Sequence, residues 1–109
     1  SKGGQVSYRQ DDAQTLSIQY AGVPVWGGSA ANSATVILQA SGTIAIQIDG
    51  ASGASYVVGL SKGSGAAAGA TDLSTLLGQV IATEGDSAVY EVFGNNALDL
   101  VGKIVSFGP

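Results

Sequence analysis

Residues 13–48 run for 36 positions without a charged side chain. Within that stretch the apolar positions return every second residue. Leu16, Ile18 and Tyr20 fall on one side, with Thr15, Ser17 and Gln19 on the other; Ile44, Ile46 and Ile48 repeat the pattern. A period of two is the mark of a strand with one buried face. Gln14, Gln19, Asn32, Gln39 and Gln47 interrupt the stretch, so it does not read as a membrane span, and no membrane partner is expected. Exposed strand edges normally carry charges, above all Lys, that block pairing with other chains. The strands between 15 and 48 have none, and neither does 56–60. Their edges must therefore be covered, within the fold or by partner subunits, and the expectation is that another subunit covers some of them.

The rest of the chain fills in around these strands. Residues 1–13 hold Lys2, Arg9, Asp11 and Asp12 among polar neighbours and read as an N-terminal arm with a short strand over 6–9. The start, Ser1-Lys2-Gly3-Gly4-Gln5, carries no apolar run and does not read as a signal peptide. Residues 14–109 read as a single β-rich domain. Gly22 and Pro24 disrupt the first long strand, and 27–33 is a loop by composition. Ser41-Gly42 marks a hairpin between strands over 34–40 and 43–48, and Asp49-Gly50 closes the second of them. Tyr56, Val58 and Leu60 share one face of a further strand, and the Gly/Ala/Ser run 61–70 reads as a flexible loop. The period then changes. Leu73, Leu76, Leu77, Val80 and Ile81 stand at helical spacing, with Thr71 or Asp72 as a cap and Gly85 past the end. This predicts an amphipathic helix over about 72–83, followed by strands over 88–93 and 101–107. The expected fold class is α+β, predominantly β, with mainly antiparallel sheet and that one helix packed on a face.

Composition removes most chemistry. The chain has no Cys and no His, so a thiol nucleophile, a Ser-His-Asp triad and the usual zinc ligands are absent. Four Lys/Arg against eight Asp/Glu cannot neutralise a row of phosphates, so nucleic acid is not an expected partner. Gly63-Ser64-Gly65-Ala66-Ala67-Ala68 fits a dinucleotide-loop pattern but lies three residues short of the expected cap and lacks a βαβ setting; it reads as loop. Glu84-Gly85-Asp86 reads as a solvated turn rather than a calcium loop. Asp49 and Glu91 form the one carboxylate pair conceivable for glycoside hydrolysis, although Asp49 belongs to a turn pair and Glu91 to a solvent face. No catalytic, cofactor-binding or metal-binding residue is assigned, and no cofactor is expected.

What remains is contact chemistry. Gly, Ala and Ser make up 46 of 109 residues, which leaves a thin core and favours burial against partners. Trp26 in Pro24-Val25-Trp26-Gly27-Gly28 reads equally as an interface anchor, a sugar platform or a core residue. Tyr8 and Arg9 in the arm, with Val23, Val25 and Trp26 in the segment 23–33, are the candidate interaction residues.

The order strand, Asp49-Gly50, strand, threonine-led helix, strand over 43–50, 56–60, 71–82 and 88–93 is similar to modules of tailed-bacteriophage virion proteins and of flagellin-type insert domains. It covers about half the chain; the long 61–70 loop and the missing Ile-Asn-Ala helix ending depart from it. The Gly/Ala/Ser/Thr/Gln composition also resembles capsid decoration (cement) and tail proteins. The resemblance implies a non-enzymatic structural subunit of a virion, homo-oligomeric within its assembly, whose partners are its own copies and a major capsid or tail protein. The alternatives are a tail, fibre or filament subunit and a small β-rich carbohydrate-binding module.

Overall fold

The computed structural model describes residues 3–25, 27–52, 55–61, 67–83, 87–94 and 98–109. Nine strands are present among them: β1 (Gln5–Asp12), β2 (Thr15–Pro24), β3 (Ala31–Gln39), β4 (Ile44–Gly50), β5 (Tyr56–Leu60), β6 (Ala67–Ala70), β7 (Val80–Ala82), β8 (Ser87–Phe93) and β9 (Ile104–Gly108). They form a six-stranded sheet in the order β1-β2-β3-β4-β9-β7 and a three-stranded sheet in the order β5-β8-β6.

The first four strands are an antiparallel meander whose register follows from the alternation. Leu16 stands opposite Leu38, Ile18 opposite Val36, and Val36 opposite Ile46, so apolar side chains share one face across all of it. A slip of one residue would turn every one of them to the other face, which is why the register is fixed. Short turns close the meander. Gln14 donates its N–H to the Asp12 carboxylate at 2.7 Å, and Gly42 donates to the Gln39 carbonyl at 2.9 Å. β9 then returns from the far end of the chain to pair with β4, placing Phe107 beside Ile44 and Val105 beside Ile46. Two pairings are parallel, β7 with β9 and β6 with β8.

The core lies between the small sheet and one half of the large one. Ile48, Val105 and Phe107 come from the large sheet, Val58 and Phe93 from the small sheet, and Leu73 and Leu100 from connections. Full burial of side chains of this size is worth roughly 1.5–3 kcal/mol each.

The structure corrects the predicted fold class. No α-helix is formed over 72–83, and the fold is all-β in place of α+β. Leu73–Leu76 makes a single turn of 3-10 helix, Leu77 is already extended, and β7 follows. The cause is local. Gly78 sits at φ +83°, left-handed backbone that ends a right-handed helix. Asp72 makes no side-chain cap to the turn. Val80 and Ile81 are β-branched and find a ladder on β9, and the Thr83 N–H and hydroxyl both donate to the Gly108 carbonyl, at 3.0 and 2.7 Å. The apolar stripe still serves the core: Leu73 is fully buried, with Leu77 and Ile81 packed against it.

Three smaller expectations are also corrected. Residues 67–70, read as loop, are strand β6; 62–66 lie outside the described residues. Asp49-Gly50 ends β4 as strand rather than turn, with the Asp49 carboxylate accepting from Thr35 Oγ1 at 3.0 Å and Gln47 Nε2 at 2.8 Å. The last strand starts at Ile104, because Gly102 at φ +79° turns the chain after Val101 has made one isolated bridge to Ile48.

The uncharged strands β2, β3 and β4 are interior to the large sheet, each paired on both sides. Their edges are covered by this chain and not by another subunit. The charges Arg9, Asp11 and Asp12 sit on β1, which is an edge strand, where protection is needed.

Gly78 distinguishes a helix over 72–83 from the observed 3-10 turn and strand. In a helix, Gly78→Ala would stabilise by about 1 kcal/mol. At a left-handed position with open space around the added Cβ, the expected change is a loss of about 1–2 kcal/mol, read as a lower urea midpoint with unchanged slope.

Candidate interaction surface

Cross-strand neighbours on one face of the large sheet line up in rows. One row reads Tyr8, Ile18, Val36, Ile46, Val105 across β1-β2-β3-β4-β9. It is apolar from end to end, but its exposure is not uniform. Val105 is 1% exposed under the small sheet, and Tyr8 at the other end is 79% exposed. The flanking rows behave alike. Gln10, Leu16, Leu38 and Ile44 lead to buried Phe107, and Val6, Tyr20 and Ala34 lead to buried Ile48. Ala34, Ile46 and Ile48 belong to the core or pack on it; Tyr8, Ile18, Val36, Leu16 and Leu38 do not. The small sheet therefore covers β4, β9, β7 and the end of β3 over 32–34, and leaves the same face of β1, β2 and the part of β3 over 36–38 without a second layer among the described residues.

The opposite face is largely polar, with Ile37, Ala45 and Ile104 as apolar members. Ser7, Gln19, Thr35 and Gln47 form one row, and Arg9 and Ser17 begin the next. The Arg9 guanidinium donates to the Asp11 carboxylate at 2.5 Å, and the Ser17 hydroxyl donates to its other oxygen. The Ser17 hydrogen bond, then the Arg9 hydrogen bond, hold the Asp11 carboxyl below its ordinary range, opposed by desolvation and aided last by the Arg9 charge.

Between the two sheets, at the boundary of the covered half, lies a cleft of about 230 Å³ lined mainly by Ala34, Ile46, Ile48, Ala51, Val58 and Leu98, with Asn32 and Tyr56 also on its wall. The Tyr56 hydroxyl and the Ser52 N–H both donate to the Asn32 amide oxygen, at 2.7 and 2.9 Å. This ties the start of β3 to β5 and to the chain leaving β4.

The expected interaction residues separate. Tyr8 and Arg9 are neighbours on a strand and so point to opposite faces: Tyr8 into the uncovered apolar face, Arg9 to the polar side. Val23 pairs with Asn32 beyond an irregularity in the β2–β3 ladder, and Val25 lies in the turn that follows, its N–H donating to the Ala30 carbonyl at 2.7 Å. Trp26 lies outside the described residues. Val6, Leu16, Ile18, Tyr20, Val36 and Leu38 join Tyr8; of these, Val6 belongs to the arm expected to make contacts, and Leu16, Ile18, Val36 and Leu38 read from sequence only as the inward side of half-buried strands. The alternation that carries them was legible; which strands lack a second layer was not.

The carboxylates do not converge. Asp49 lies on the polar side of the large sheet. Glu91 lies on the small sheet, where its Oε1 accepts the Leu73 N–H at 2.8 Å and so holds the 3-10 turn. Among the described residues no three acidic side chains gather as metal ligands, and no helix is long and apolar enough to cross a membrane. Glu84, Gly85 and Asp86 lie outside the described residues, as do 63–66 of the glycine-rich motif. Comparison with protein-family models, curated proteins and solved structures gave no match.

Asp11 makes a test of the polar face in acid. Its carboxyl is lowered in the folded state, so its contribution is present above the unfolded value near 3.8 and is lost as pH falls through the lowered value. Asp11→Asn is expected to lower the denaturation midpoint slightly near neutrality, and the gap to the parent protein should close in strong acid.

Proposed function

We propose that this chain is a non-enzymatic structural subunit of a virion, a capsid decoration (cement) protein that stabilises an assembled shell through subunit contacts. Its partners are its own copies and a major capsid protein. The observation that carries the reading is the half-covered large sheet. A row that is fully buried at Val105 and open at Tyr8 is an unfinished sandwich, and contiguous apolar surface of this kind marks an interaction site.

A second apolar patch points elsewhere. Val57 and Val92 are cross-strand partners on the outer side of the small sheet and are 69% and 61% exposed. Two separate apolar surfaces suit a subunit that joins its own copies through one and a shell through the other. The carboxylates weighed for catalysis accept hydrogen bonds, Asp49 from Thr35 and Gln47 and Glu91 from the Leu73 N–H, which favours a structural role for each. Small side chains in the turns allow neighbouring chains to approach closely. With few charges at hand, the contact relies on apolar burial at about 25 cal/mol per Å², and its strength should depend little on salt.

The test is co-sedimentation of the purified chain with shells assembled from capsid protein, together with the temperature at which those shells come apart. Saturable binding and a raised disruption temperature are expected. Failure to bind, with shell stability unchanged, would remove the decoration reading.

A further inference from the structure

We infer that the uncovered face of β1, β2 and β3 is closed by the same face of a second copy, so that two half-open sheets complete one sandwich about a two-fold axis. This rests on the assembly reading above and names the occupant of its larger surface.

Three observations select a second copy. The first is charge. A two-fold contact sets each patch against itself, so a charged patch would meet its own sign. The three rows over β1–β3 carry no charged side chain; the only polar groups are the Gln10 amide and the hydroxyls of Tyr8 and Tyr20. The Gln10 amide already donates to the Asp12 carbonyl at 2.8 Å, which leaves it turned to its own strand.

The second is area. Tyr8 is 79% and Val6 58% exposed, Tyr20 is also exposed, and Leu16, Ile18, Val36 and Leu38 are each part-exposed. Together these offer on the order of 600 Å² per copy, or about 1,200 Å² in a pair, which reaches the range of specific interfaces. The Val57–Val92 patch has two side chains and falls well short of that on its own.

The third is geometry. Stacked sheets interleave side chains from two layers about 10 Å apart. The missing layer must span three antiparallel strands with apolar side chains on one face, and β1–β3 of a second copy is such a layer. Edge-to-edge pairing through β1 is the less suitable route. Arg9, Asp11 and Asp12 lie along that edge strand, and charged edge strands resist pairing.

The experiment is sedimentation of the full chain at about 100 μM, with Tyr8→Lys, Val6→Lys and Val57→Lys variants alongside. Tyr8 and Val6 are exposed and outside the core, so circular dichroism should show these variants folded. A species of twice the chain's mass is expected for the parent and for Val57→Lys. Self-association should weaken at least about tenfold in Tyr8→Lys and Val6→Lys. A parent chain that stays single, pairing that survives Tyr8→Lys and Val6→Lys, or pairing lost only in Val57→Lys would each overturn the inference. A single chain that still binds shells would leave the decoration reading standing; a paired chain that ignores shells would leave the pairing standing without it.

Discussion

Six strands cannot be covered by three. The small sheet reaches across β4, β9 and β7 and stops, and the rest of the molecule adjusts to where it stops. The pairing of β4 with β9 is the hinge of this arrangement. It brings Val105 and Phe107 from the end of the chain onto Ile46 and Ile44, sets them under Val58 and Phe93, and gives β7 an edge to join. Among the described residues, β1, β2 and the part of β3 over 36–38 are single-layered. Cross-strand neighbours half-shield one another there, and Ile18 and Val36 are neither buried nor fully open.

The meander was legible because it is local. Alternation, short turns and the absence of charge over 13–48 define β2, β3 and β4 from neighbouring residues alone. The same absence of charge points to covered edges; those of β2, β3 and β4 are covered by sheet neighbours within the chain, whereas the equally uncharged β5 is an edge strand of the small sheet. What the sequence did not reveal depends on distant partners. The stripe Leu73, Leu76, Leu77, Val80, Ile81 fits a helix by spacing, yet Gly78 takes a left-handed conformation and Val80–Ala82 pairs in parallel with a strand more than twenty residues on. Ala67–Ala70 forms a strand only because β8 lies beside it. A short run of Ala and Gly has no propensity of its own that would announce it.

The candidate site was legible only in part, for the same reason. Tyr8 could be singled out as an aromatic residue in a polar segment. Its neighbours on the surface looked like ordinary inward positions of half-buried strands. Their side chains become a surface because the second sheet is narrow, and sheet width is a property of the whole topology. Arg9 was grouped with Tyr8 by proximity in sequence, whereas strand geometry sends it to the far face, where it pairs with Asp11.

In solution, the open half of the large sheet is expected to meet its own copy. Isotope-filtered nuclear Overhauser spectra on a mixture of labelled and unlabelled chains address this directly. Contacts should run from the Ile18, Val36 and Leu38 methyl groups of one copy to the Tyr8 and Tyr20 rings of the other. Methyl groups of β2 and β3 that contact only their own chain would contradict it.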